Sequence, residues 1–297
     1  MQPDAIVERV WPGKQATVEP LGGGITNRNF RVRVEGCDYV LRIGGKDTEL
    51  LGIDREAEHR ASLVAAELAV GPEVVAFVQP EGYLVTRFIA GSPVPPDEMR
   101  RPETLRRATA VLRRIHDGPA IPGRFDSFRV VEDYARTASR HGVRVPPDYE
   151  WAKGFADEIE GARGSPPPRP CHNDLLNANF IDDGESIRIV DWEYAGMGDP
   201  AFDLANFSVN HDFGRDENEA LLEEYLGAVR GPGLASLELM RFMSDFREAM
   251  WGVVQQGISE LDFDFVAYAG DHFERLRRTA STPTFRAALA ESGDGGL

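Results

Sequence analysis

Lysine is nearly missing from this 297-residue chain. It occurs only at Lys14, Lys46 and Lys153, so arginine supplies most of the positive charge and a catalytic lysine has few candidates. Cysteine is as scarce, with Cys37 and Cys171 far apart and in no Cys-x-x-Cys pair. That excludes a zinc ligand set and a disulfide framework, and it fits a reducing compartment. No apolar run approaches the ~20 residues that span a bilayer, and the opening Met-Gln-Pro-Asp lacks the basic and apolar regions of a secretion signal. We therefore expect a cytoplasmic protein with no membrane insertion. Positive charge is also short overall, since 33 Lys and Arg against 49 Asp and Glu leave a net charge of −16. A surface of that sign repels phosphate backbones and anionic lipid, so no nucleic-acid partner is expected; it can attract a small cationic ligand, although many proteins are acidic with no such partner.

What is present is a globular composition, 42% apolar, too much for one small core at this length and enough for two lobes. Residues 16–88 are strand-rich: 30–34 and 39–43 alternate apolar with polar around a Glu35-Gly36-Cys37-Asp38 turn, which predicts a hairpin. Residues 54–70, rich in Ala, Glu and Leu and stopped by Gly71-Pro72, predict a helix. Two apolar runs, 73–78 and 83–89, follow. This part reads as a small sheet carrying one helix. Beyond Gly91-Ser92-Pro93 the period changes, because Leu105, Ala108, Leu112 and Ile115 step by three and four as one helix face does. Helical patterns recur at 151–159, 222–226, 237–256 and 265–276, interrupted by a short hairpin pattern at 178–181 and 187–190. Residues 288–297 read as a frayed tail. The expected division is 1–89 and 90–297.

The informative stretch is Cys171-His172-Asn173-Asp174-Leu175-Leu176-Asn177-Ala178-Asn179-Phe180, followed by Ile189-Val190-Asp191-Trp192-Glu193. Phosphoryl transfer needs a carboxylate to orient a hydroxyl and accept its proton, and oxygen ligands for magnesium. Asp174 suits the first task, Asn179 and Asp191 the second. Turn and capping roles account for any one of these residues alone; their order and spacing together favour chemistry.

These residues resemble the aminoglycoside phosphotransferase and choline kinase superfamily, relatives of protein kinases whose signature is HxDxxxxN followed by an Asp on the next strand. Cys-His-Asn-Asp, Val-Asp-Trp-Glu-Tyr and Phe-Asp-Leu-Ala-Asn look most like its choline and ethanolamine kinase branch, and the similarity runs from near Gly22 to near Leu276. The resemblance implies an α+β, protein-kinase-like bilobal fold: a small antiparallel-sheet N-terminal lobe that binds nucleotide and a mainly helical C-terminal lobe that binds acceptor. It implies ATP and Mg2+ as cofactors. It also implies that Asp203, and with it His172, braces the catalytic loop without meeting substrate.

In the first lobe Leu21-Gly22-Gly23-Gly24-Ile25-Thr26-Asn27 is a turn feeding a strand. Glycines let backbone N–H groups approach phosphate, and Thr26 and Asn27 add side-chain donors, so Gly23, Gly24, Thr26 and Asn27 are candidate nucleotide contacts. The run is not GxGxxG, and three glycines also make a plain hairpin turn. Arg42 stands where kinases place a lysine, similar to choline kinases, and keeps the electrostatics with a fork of donors. Glu56 and Glu58 compete as its partner; counting back from Gly71-Pro72 favours Glu58. Thr86 and Phe88 look like the linker between lobes, where adenine would bond.

For the acceptor, the resemblance points to Glu193, Tyr194, Trp251 and Tyr268, with the rings caging a cation at about 0.5 to 2 kcal/mol per face. Aromatics at helical spacing also pack cores. The branch has two Trp three residues apart, whereas here Glu248 precedes Trp251. A carboxylate suits a primary ammonium at least as well as a methylated one, which leaves choline and ethanolamine both open. The expected activity is an ATP- and Mg2+-dependent phosphotransferase acting on a small cationic amino alcohol. The alternatives are an aminoglycoside phosphotransferase and a non-catalytic nucleotide-binding relative.

Overall fold

The computed structural model describes residues 2–22, 27–227 and 231–291; the candidate contacts Gly23, Gly24 and Thr26 lie outside them. The chain opens with helix α1 (Pro3–Val10) and strands β1 (Ala16–Leu21), β2 (Arg28–Val34) and β3 (Cys37–Ile43). Helix α2 (Arg55–Glu67) and strands β4 (Val74–Val78) and β5 (Tyr83–Arg87) complete the first lobe. Among the described residues these strands form an antiparallel sheet in the order β1-β2-β3-β5-β4. Glu35 and Gly36 both take positive φ (51° and 82°), which lets Val34 and Cys37 pair directly and closes the expected hairpin. Alternation then turns Val32, Val34, Leu41 and Ile43 inward.

The helix that seals that face is α1, through Ile6 and Val7. The sequence reading of one helix in this lobe is thus corrected to two. An eight-residue helix with two buried side chains leaves little periodicity to read. Helix α2, by contrast, starts where Asp54 accepts hydrogen bonds from the Glu56 and Ala57 amides (2.9 and 3.1 Å) and sends Ala61 and Ala65 into the larger core. Past its end, a Cβ on Gly71 would stand 2.9 Å from Ala65 Cβ, so only glycine lets the chain turn so close to the helix.

The second lobe begins with β6 (Ser92–Pro93), α3 (Pro96–Met99), α4 (Pro102–His116), α5 (Ser127–Arg140) and α6 (Asp148–Arg163). Short strands β7 (Arg169–Cys171), β8 (Phe180–Asp182), β9 (Ile187–Ile189) and β10 (Gly196–Gly198) follow, then α7 (Pro200–Asn210), α8 (Arg215–Leu226), α9 (Gly231–Ile258), α10 (Phe265–Ser281) and α11 (Pro283–Glu291). Helix α9 is the axle, buried on nearly every side from Ala235 to Gln255 and packed by α5, α7, α10 and α11. Helices α3, α5, α7 and α11 were not expected. Helix α7 is buried from Pro200 to Val209, so it has no solvent-exposed face to set an apolar-polar period, while the α5 stripe Val131, Tyr134, Ala135 and Ala138 has helical spacing. The frayed tail is also corrected up to residue 291, because Phe285 and Ala288 of α11 are buried in the large core. Among the described residues no helix is long and apolar enough to cross a membrane.

Candidate active site

The loop between β7 and β8 carries Asp174, and it is gripped from below by α7. Asp203 and Asn206 lie one turn apart on that helix and so share a face. Asp203 accepts the His172 and Asn173 amides (2.8 and 2.6 Å), and Asn206 accepts the Leu175 amide (2.6 Å). The backbone is therefore clamped on both sides of Asp174, with Asn173 held at a left-handed φ of 66°. His116 adds a third bond to Asp203 at 3.0 Å. His116, Cys171 and Asp203 offer donor atoms within 4.8 Å of one another, but both Asp203 oxygens are already engaged in bracing the loop. His172 Nδ1 accepts the Asp174 amide, so its Nε2 carries the proton and donates to the Val190 carbonyl at 3.0 Å. Burial pushes the His172 pKa down to about 4, so the ring is neutral near pH 7 while it bonds the loop at both nitrogens.

Asn179 donates its amide to the Asp174 carbonyl (2.9 Å), and its own carbonyl accepts the Val190 amide (3.0 Å). Those two bonds bring Asp174, Asn179 and the end of β9 together. Asp191 follows at a left-handed φ of 70°, with Oδ2 on Arg42 and Oδ1 buried and without a partner among the described residues. An orphaned carboxylate oxygen is costly unless something binds it. Asp191 Oδ1 and the Asn179 side-chain oxygen, whose amide nitrogen is already committed, are hard-oxygen donors that could hold a divalent cation.

Arg42 bridges the lobes, contacting Glu58 of α2 at 2.7 Å as well as Asp191; Glu56 faces solvent. Burial alone would lower its pKa, but the charges of Asp191 and Glu58 raise it further. Arg55, which sequence reasoning missed, bonds Glu58 (2.7 Å), Glu193 (3.1 Å) and Thr48 (3.0 Å). Asn27 donates to Glu193 at 2.8 Å. Glu193, read as an acceptor residue, is thus tied to the end of the glycine turn. The signal for Arg55 was its place three residues before Glu58 on one helix face. Thr86 pairs with Val40 and Val74 inside the sheet, and the Phe88 ring lies 4.4 Å from the Arg31 guanidinium. The linker then passes so close to β8 that a Cβ on Gly91 would collide with the Asp182 carbonyl.

On the other side of Asp174 stands α9. Arg247, also missed from the sequence, donates from one Nη1 to Asp174 Oδ1 (3.3 Å) and to Glu248 Oε1, and its guanidinium lies 4.4 Å from the centre of the Tyr194 ring. This differs from the expected three-ring cage, since Arg247 already holds a Tyr194 face. Trp251 and Tyr268 do meet (5.5 Å between centres), joined by Phe265 and Phe263. Tyr268 donates its hydroxyl to Glu248 Oε2 at 2.7 Å. The polar pairs Ser244-Asp245 and Arg247-Glu248 in the mostly apolar stretch 237–254 of this helix were the available signal. Burial pushes the Asp174 pKa above the carboxylate range; Glu248, Asp191 and Glu193 push the same way, and Arg247 opposes them. Glu248 stays ionised because Arg247, His272 and the Tyr268 hydroxyl outweigh its burial.

The phosphotransferase enzyme family model matches residues 17–240, which include the loop, the clamp and both arginine partners of Asp191 and Glu193. The chain belongs to the phosphotransferase enzyme family. A choline/ethanolamine kinase family protein of Mesorhizobium loti is 33% identical, covers 98% of both chains and superposes with a TM-score of 0.84. Human ethanolamine kinase 2 is 28% identical over 89% of this chain and 76% of its own. The choline kinase LicA of Streptococcus pneumoniae, 22% identical over 93% of this chain and 98% of its own, shares the fold with a TM-score of 0.78. This phosphotransferase is a small-molecule kinase with the kinase-like α+β fold. Around its loop the structure brings together Asp174, Asn179, Asp191, Arg42, Glu58 and Glu193 on one side, and Glu248, Tyr194, Trp251 and Tyr268 on the other.

Proposed function

We propose that this phosphotransferase transfers the γ-phosphoryl group of ATP, with Mg2+, to the hydroxyl of a small cationic amino alcohol, ethanolamine or choline. In this reading residues 1–89 bind nucleotide and 90–297 bind the acceptor. The observation that carries it is the position of Asp174, which lies between the oxygen donors Asn179 and Asp191 and a wall that already holds a cation, Arg247, between carboxylates and a ring. The acceptor hydroxyl donates its hydrogen bond to Asp174, its oxygen attacks the γ-phosphorus, the bond to the β-bridging oxygen breaks, and the proton passes to Asp174. The metal, when bound, neutralises charge on the phosphates. Arg42 leaves Asp191 for the nucleotide phosphates while Glu58 keeps it oriented, and Asp203 with Asn206 keeps Asp174 from turning away. The acidic surface draws the cationic acceptor in.

A coupled ADP assay with ethanolamine, choline and kanamycin tests the reading. Acceptor-dependent ADP release with an amino alcohol and none with kanamycin supports it; the reverse pattern replaces it with an antibiotic phosphotransferase. ATP binding with no stimulation by any alcohol would make the chain a non-catalytic nucleotide-binding relative.

A further inference from the structure

The wall beside Asp174 carries chemistry that distinguishes among cations. Arg247 Nη1 is an N–H donor held by Asp174 Oδ1 at 3.3 Å and by Glu248 Oε1, with Tyr194 against the guanidinium. The two carboxylates share that one nitrogen, so they lie no farther apart than two hydrogen bonds laid end to end. A two-carbon amino alcohol matches that separation, and lying beside Arg247 Nη1 it can set its hydroxyl on Asp174 and its ammonium on Glu248. Glu248 is 4% exposed, and Tyr268 occupies one position on Oε2. Each carboxylate oxygen accepts two bonds, so both Glu248 oxygens retain a further acceptor position in a buried place.

Ring faces attract an ammonium whether or not it is methylated, and Trp251 and Tyr268 therefore do not discriminate. A buried carboxylate does, because a ligand without N–H hydrogens strips it of water and returns no hydrogen bond. We infer that, given the amino-alcohol reading above, Glu248 makes the acceptor site selective for an ammonium that keeps at least one N–H. Ethanolamine and its N-methyl and N,N-dimethyl forms are then substrates, and quaternary choline is a poor one.

The test is steady-state phosphorylation of these four acceptors with ATP and MgCl2, followed by ADP release and product mass, in the wild type and in Glu248→Gln. The wild type should hold kcat/KM within about threefold over the three N–H-bearing acceptors and lose about tenfold or more at choline, chiefly through KM, as expected for a lost bond to a charged group. A steady decline with every added methyl would indicate size alone and overturn the inference. In Glu248→Gln, with melting temperature and ATP affinity confirming the fold, the ratio of N,N-dimethylethanolamine to choline should fall toward one; an unchanged ratio also overturns it. Choline used as well as ethanolamine by the wild type ends the selection rule but leaves the amino-alcohol kinase standing. Silence toward all four acceptors ends that broader reading, and the rule with it.

Discussion

Arg42 and Arg247 stand on opposite sides of the proposed base, and each bridges two carboxylates, yet they are built differently. Arg42 is 11% exposed at the side chain, at the cleft, with one partner from each lobe. Arg247 is 2% exposed, comes from the helical axle, and leaves Nε and Nη2 buried without partners among the described residues. A cation that must exchange a carboxylate for phosphate oxygens belongs where ligand can reach it. One that balances the charge around a buried carboxylate belongs inside, where a low dielectric makes its field strong.

Removing Asp174, the group between the two, should have the largest effect. Asp174→Ala is expected to cut turnover by roughly 10³-fold, within the range for a general base, while ATP affinity measured by titration stays nearly unchanged. Equal loss of both would contradict the division of the cleft. Next, Arg247→Ala should cost about 3–5 kcal/mol in urea unfolding, because it leaves Asp174 and Glu248 as buried, unneutralised neighbours. Arg42→Ala should cost less stability than Arg247→Ala, because Arg55 still pairs Glu58 and the carboxylate left alone, Asp191, is the more exposed one, and it should raise the KM for ATP by about tenfold or more. Similar stability losses in the two variants would erase the contrast.

A smaller effect concerns pH. Burial raises the Asp174 pKa, so its contribution favours folding below the ordinary value of 3.8 and is lost as pH climbs through the raised folded value. The ionised, active base is thus the less stable form. Asp174→Asn should raise the melting temperature at pH 8, by roughly 2–4 °C for each kcal/mol recovered, with the gain vanishing near pH 4 and no turnover at any pH. The smallest expected change is on the acid side, where burial lowers His172 and His211 to about 4. Their neutral forms support folding above 6.5, and that support is lost as pH falls through about 4, which a series of melting curves would register.

Much of the site was legible because its residues are close in sequence. The His172 to Asn179 run and Asp191 sit on a loop and a hairpin, where spacing alone limits how far apart they can be. Glu58 could be selected over Glu56 from the distance to Gly71-Pro72, and Glu58 is the residue on Arg42. Arg55 and Arg247 were not read as site residues, since their bonds to Glu193 and Asp174 span 138 and 73 residues; Asn206 closes the Phe-Asp-Leu-Ala-Asn motif, but its bond to the Leu175 amide spans 31 residues. Helix α7 was missed for another reason: full burial leaves it no solvent-exposed face to contrast with an apolar one. Tyr194 was read as a ring for the ligand, but which cation lies on a ring depends on what packs above it.

The sequence by itself determined the lobes, the hairpins, the acidic surface and the order of oxygen-bearing residues, because local periodicity and turn chemistry act over a few residues. Only the tertiary structure decided that α1 seals the sheet, that Arg247 comes to rest between Asp174 and Glu248, and that Glu193 turns toward Arg55. Those outcomes depend on how α9 packs against the loop and how the lobes meet, and a buried charge takes whatever partner that packing brings within reach.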